Sequence, residues 1–243
     1  MIRSTLPILI SLPHAGLKVP DEVLDVCILN ESQIRKDGDE GAYEAYSGLR
    51  QHVAGYVTTE IARAIVDMNR GPDDFRKDGV IKTHTCWNEP VYRKSLPTSL
   101  KDYLIQSFHH RYHEELDRIA TQQEILFGID CHTMAATGPP VGPDPGQERP
   151  LVCLGNLYDQ SCSPEQLRSF ADCLEQELQC SVAINRPFSG GYIIRRHSSR
   201  LPWMMIELSR THKVTWEEKA IAIERALERW CAFGLQTYRN HRK

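Results

Sequence analysis

Residues 124–132, EILFGIDCH, decide how this chain folds. An apolar run of this length, with no polar alternation and a turn after it, reads as a strand buried on both faces of a parallel or mixed sheet. Asp130 and His132 are two apart, so on a strand they face one side while Cys131 faces the other. Three further runs share the form: ILISLPH (8–14) ends on His14, ARAIVDMNR (62–70) on Arg70, and PWMMIELSR (202–210) carries Glu207. Ligands of such sheets lie beyond the carboxyl ends of the strands. Two imidazoles, an arginine and a carboxylate delivered to that edge suit a metal-assisted hydrolase; no glycine-rich phosphate loop accompanies them, which argues against a dinucleotide or kinase site.

Helical patterns fill the spaces between these runs. Tyr43, Tyr46, Leu49 and Val53 predict a helix over 41–53, followed by a strand at 57–67. Ser99 with Asp102 three residues on predicts a capped helix whose inner face is Leu104, Phe108, Tyr112, Leu116 and Ile119. Ser163, Pro164 and Gln166 open another between the strands LVCLG (151–155) and SVAIN (181–185). Thr215 with Glu218 opens the last, docked through Ile221, Ala222, Leu227, Trp230 and Phe233. Segment 71–97 reads as a long loop, and ATGPPVGPDPGQERP (136–150), with five prolines and three glycines, as a mobile loop beside the site. The alternation predicts an α/β layer structure, with one domain spanning 1–243.

Composition narrows the function classes. With 29 Lys and Arg against 32 Asp and Glu, no excess positive charge is available for a nucleic-acid backbone or an anionic membrane. No apolar stretch approaches the ~20 residues of a membrane span, and Pro7 and Pro13 bracket the first run, which reads as a core strand and not a signal peptide. The eight cysteines form no CxxC pair, so reduced thiols and a cytoplasmic location are expected, and a cysteine zinc site is not. Cys153 and Cys173 read as small core residues.

The polar residues can then be weighed singly. His14 is followed by Ala15 and Gly16, small enough for a metal or ligand to approach the backbone. His132 has Asp130 on its own side of the strand to hold the ring nitrogen a metal leaves free. Cys131 as a nucleophile is the rival, weakened because neighbours on a strand point apart. A hydrolytic zinc site needs a third protein ligand, and KDGDEGAYEAY (36–46) offers Asp37, Asp39 and Glu40, with helix capping the competing reading. Glu207 sits in a run apolar enough to raise its pKa toward the range of a general base, an ion pair with Arg210 being the alternative. Arg70 and Arg195, assisted by Asn69, are expected to bind substrate carboxylates, while Arg196 fits a surface ion pair. In HHRYHEE, His109 is expected in solvent and His113 is left open.

Seven segments, in order, resemble the N-formylglutamate amidohydrolase family: PHAG (13–16), DEGA (39–42), DMNR (67–70), YHEEL (112–116), DCHT (130–133), NRPFSGGYIIR (185–195) and ELSR (207–210). Thr133 stands where the family usually has serine, and DxGA replaces a DTDW variant. The resemblance implies a zinc-carboxypeptidase-like α/β fold of three αβα layers with a central mixed, mostly parallel sheet, one zinc ion at His14, Asp39 and His132, and hydrolysis of a small N-acyl amino acid, N-formylglutamate above all. Other readings consistent with the residues are a metallocarboxypeptidase, another N-acyl amino acid deacylase, or a catalytically silent carboxylate-binding protein.

Overall fold

The computed structural model describes residues 5–235. Its centre is a six-stranded sheet in the order β2-β1-β3-β6-β4-β5. These strands are β1 (Leu6–Leu12), β2 (Val53–Thr58), β3 (Phe127–Met134), β4 (Val152–Gly155), β5 (Val182–Ile184) and β6 (Trp203–Ser209). β2, β1, β3 and β6 run parallel; β4 runs antiparallel to β6, and β5 follows β4. Every residue of β3 and β6 is buried, as their unbroken apolar runs demand.

Both sheet faces are covered. Ile10, Ile129, Cys131 and Ile206 face one core, with residues from α3 (Ala42–Tyr46), α6 (Pro164–Leu178) and α8 (Trp216–Phe233). Leu9, Trp203 and Met205 face the other, with α4 (Thr98–Leu104), α5 (Arg111–Ala120) and α7 (Tyr192–His197). Two short helices, α1 (Asp21–Leu24) and α2 (Glu31–Asp37), precede α3. The capping boxes expected at Ser163 and Thr215 are both formed, and Asn30 with Gln33 makes a third at α2. No helix among the described residues is long and apolar enough to cross a membrane.

Several local expectations are corrected. The run 62–70 is not a strand: β2 ends at Thr58, and Ile65 and Val66 both bond back to Ala62 in turns. Ile61, Ala62, Ile65, Val66 and Met68 are apolar because they fill the second core, and buried turns and buried strands leave the same mark on a sequence. The helix expected over 41–53 shortens to α3 and a 3-10 turn, Ser47–Gln51, before β2. α4 starts at Thr98 after Pro97, without the Ser99–Asp102 box. Between α4 and α5 lies a π turn, Ile105–His110. Ile105 and His109, four apart and so on one side of the turn, face inward, and His109 is buried and not in solvent. On α8 the packed stripe is Lys219, Ala222, Ile223, Ala226, Leu227 and Trp230, while Ile221 and Phe233 are exposed.

Candidate active site

The carboxyl edge of the three central strands brings the polar residues together. His14 follows β1, and His132 and Glu207 are register partners on adjacent parallel strands, so both side chains rise from the same row and face. Asp130, one step below, pairs with Ser11, whose Oγ donates to Asp130 Oδ1 at 2.8 Å. Because β4 is reversed, its beginning lies at this same edge: Val152 pairs with Leu208, and Arg149 just before it lines the cavity. The cavity measures about 430 Å³.

Asp39 is placed by the turn after α2. Its N–H donates to His14 O, its carbonyl accepts from Ala42, and its Oδ2 accepts from Thr133 N–H at 3.2 Å. Asp37 turns away to Lys82 Nζ at 2.9 Å, and Glu40 is exposed. No side chain caps α3, so the capping alternative for this acidic cluster is not what the fold uses.

One ligand atom each from His14, Asp39 and His132 lies within 4.8 Å of the others, and all three residues are buried. The outer nitrogens of both rings are held by carboxylates: His14 Nε2 lies 2.8 Å from Asp67 Oδ1, and His132 Nε2 2.9 Å from Asp130 Oδ2. A carboxylate only accepts, so each Nε2 donates. In the neutral rings both Nδ1 lone pairs then face the third carboxylate, with Asp39 Oδ2 at 2.9 Å from His132 Nδ1 and 3.5 Å from His14 Nδ1. Lone pairs converging on a carboxylate call for positive charge between them. The chain alone supplies it by holding His132 protonated well above the usual range: burial opposes this, but Asp130 and Asp39 outweigh it. Burial would likewise raise Asp39, yet the His14 and His132 rings hold it well below the usual carboxylate range. The same electrostatics fit a divalent cation, and outer carboxylates of this kind orient metal-bound imidazoles.

Glu207 gives a second sign of a ligand site. Its Oε2 is buried with no partner among the described residues, a costly arrangement for a carboxylate unless a ligand completes it. Burial, helped by the nearby Asp39 charge and opposed by His132, Arg63 and Arg210, lifts its pKa to about 7. Arg210 makes no ion pair with Glu207; it donates to Gly38 O and, at 3.3 Å, to Thr133 Oγ1. Cys131 faces the opposite core, and burial first, then Asp130, push its thiol well above the ordinary range, so it is no nucleophile.

Asn69 Nδ2 donates to Asp130 Oδ2 at 3.1 Å, and its Oδ1 accepts from Ile193 N–H at 2.9 Å. Gly191 makes this possible, because a Cβ there would stand 2.3 Å from Asn69 Oδ1. Gly16 is needed for a similar reason: its Cβ would meet the Glu60 backbone at 2.3 Å. Arg70 lines the cavity on its irregular segment, reaching Asp78 Oδ2 at 3.4 Å. Arg195 stands apart. It is exposed on α7 and does not line the cavity, so the carboxylate-binding role expected of it has no support here. Arg196 pairs with Asp117 at 3.0 Å, as expected of a surface arginine.

Four residues at the cavity went unread as parts of a site. Lys82, fully buried, lies 2.9 Å from Asp37 and 3.8 Å from Asp67. Arg63 lies 3.2 Å from Asp67, Arg149 is paired with Asp144, and Arg210 braces the Asp39 turn. The only signal for Lys82 is a charge inside the apolar stretch GVIKT. The proline-rich loop does lie beside the cavity, but it is tied down by the Asp144–Arg149 pair, a Thr137–Glu148 bridge and Val141 N–H on Cys86 O.

A family model described as N-formylglutamate amidohydrolase matches residues 6–212. Among curated proteins, an N-formylglutamate deformylase of Pseudomonas putida is 26% identical over 262 residues, covering 97% of this chain and 96% of that protein. A second, from Pseudomonas aeruginosa, is 26% identical over 207 residues, covering 80% and 76%. Among solved structures, the N-formylglutamate amidohydrolase from Ralstonia eutropha JMP134 superposes with a TM-score of 0.71 at 18% identity, covering 97% of this chain and 95% of that one. A gene product of Agrobacterium tumefaciens superposes with a TM-score of 0.72 at 14% identity, covering 93% and 90%. At these identities the two structures speak for the fold alone.

Proposed function

The chain belongs to the N-formylglutamate amidohydrolase family, and from that premise we propose that it hydrolyses the amide bond of an N-acyl amino acid, N-formyl-L-glutamate giving formate and L-glutamate. The observation that carries this reading is Glu207: a buried carboxyl oxygen without a partner, in register with His132 and beside the convergent His14, Asp39 and His132.

His14 Nδ1, His132 Nδ1 and the Asp39 carboxylate would hold one zinc ion. When bound, zinc supplies Lewis-acid chemistry, polarising a carbonyl and making water acidic enough to lose a proton near neutral pH. Glu207, with its pKa lifted to about 7, takes the proton from the attacking water and returns it to the leaving nitrogen as the C–N bond breaks. Asp67 and Asp130 keep both rings turned so that Nδ1 faces inward. Arg70 offers its guanidinium to a substrate carboxylate, and Asn69 secures the segment that carries it.

Metal analysis, with N-formylglutamate assayed against N-acetyl and N-succinyl amino acids and short peptides, tests the reading. N-formylglutamate should be the best substrate. Preference for peptides would make the chain a carboxypeptidase, and metal-independent binding without turnover would make it a carboxylate-binding protein. Glu207→Gln should retain zinc and lose at least about a hundredfold in kcat; full activity in that variant would remove Glu207 from the mechanism.

A further inference from the structure

The segment that carries Asp67, Asn69 and Arg70 has neither helix nor strand to satisfy its backbone, although Met68 is fully buried. Buried carbonyls outside regular structure must find donors elsewhere. Two are met from behind by the helical motif HHRYH. His109 Nε2 lies 2.8 Å from Arg70 O, and His113 Nε2 lies 2.9 Å from Met68 O. A carbonyl only accepts, so both rings carry their proton on Nε2 and donate it. The rings stand 4.4 Å apart, each residue 1% exposed. His113 Nδ1 is thereby left to accept from His197 Nε2 at 2.9 Å, and His197 Nδ1 stands 3.1 Å from Asp117 Oδ1.

The placement of these two bonds matters more than their number. The Met68 carbonyl belongs to the peptide plane entering Asn69, and the Arg70 carbonyl to the plane leaving Arg70. Fixing both planes fixes the direction in which the Asn69 and Arg70 side chains leave the backbone. On the opposite side of the same segment, Asp67 receives His14 and Asn69 reaches Asp130, which holds His132.

We propose that His109 and His113 are positioning residues of the active site: by donating to Arg70 O and Met68 O they set the segment through which Asp67, Asn69 and Arg70 act on His14, His132 and the substrate. Only the identity of that substrate rests on the function proposed above.

The test compares His113→Leu and His109→Leu, which remove the donor, with His113→Gln and His109→Gln, which retain an N–H. Three quantities are read in each: amide hydrogen exchange over residues 66–71, the global unfolding midpoint, and KM and kcat on N-formylglutamate. In the Leu variants, exchange at 67–70 should quicken at least about fivefold while α6 and α8 exchange as in the wild type, and KM should rise about tenfold. The Gln variants should return both to within about threefold of wild type. Leu variants with wild-type exchange at 67–70 and wild-type KM overturn the proposal. So do Gln variants that lose as much as their Leu counterparts, or failure of all four to fold, since the histidines would then be structural only. If the wild type proves inactive on N-formylglutamate but the local exchange responds as described, the substrate reading fails and the positioning role stands.

Discussion

Each histidine at the centre depends on a carboxylate behind it. Asp67→Ala and Asp130→Asn should weaken zinc binding by about 10- to 100-fold, measurable by competition with a chromogenic chelator, with little effect on strand pairing. The buried histidines of α5 and its π turn set a pH limit on stability. Burial, chiefly, lowers His109 to about 4 and His113 to about 2. Both titrate near 6.5 when unfolded, so the unfolded chain binds more protons below that pH. Their contribution is complete above pH 6.5 and is lost as the pH falls through 6.5 toward 4 and 2. Between pH 7 and 5 each should cost on the order of 2 kcal/mol. Urea midpoints measured across that range should fall more steeply in the wild type than in His113→Gln, and parallel slopes would exclude His113 from the effect. At this scale the sequence was readable where chemistry and burial conflict openly, as for Glu207 inside PWMMIELSR or His132 two after Asp130. It was not readable where the conflict is settled at long range: buried Lys82 is met by Asp37, 45 positions away.

Elements follow the same division. The helices opened by Ser163 and Thr215 were foreseeable because a capping box is a contact within four residues. Ser163→Ala should lower the unfolding free energy by about 1 kcal/mol in chemical denaturation. Asp102→Ala, lacking any capping role at α4, should leave it within about 0.5 kcal/mol of wild type. The π turn was not foreseeable, since its extra residue shifts the inward face by an amount that hydrophobic spacing does not encode. His109 faces inward for a reason the run does not show either, since its partner, the Arg70 carbonyl, lies 39 positions away. The run 62–70 shows the converse: its apolar content is real, but it belongs to a core-filling turn, and nothing within the run distinguishes that from a strand.

For the whole molecule, the parallel order of the central strands was implied by their unbroken apolar runs, whereas the reversal of β4 was not, because strand direction depends on connections the run itself does not contain. That reversal brings Arg149 to the edge that carries His132 and Glu207. Metal and global stability should also be linked. A ligand that binds only the folded state stabilises it by about 4 kcal/mol at a thousand times its dissociation constant. Chelation should therefore lower Tm, and added zinc should restore it; a Tm indifferent to both would mean that the three residues hold no ion.

The order of the sheet has a consequence in time. β1 lies beside β3, and β3 beside β6, so His14, His132 and Glu207 meet only when segments far apart in the chain have paired. Such pairings close late and slowly. During synthesis, then, His14 and Asp39 leave the ribosome well before His132, and a nascent chain holds two of the three convergent groups. An ion held by all three residues would be captured among the last events of maturation, and zinc uptake during refolding should lag behind the burst of helical signal.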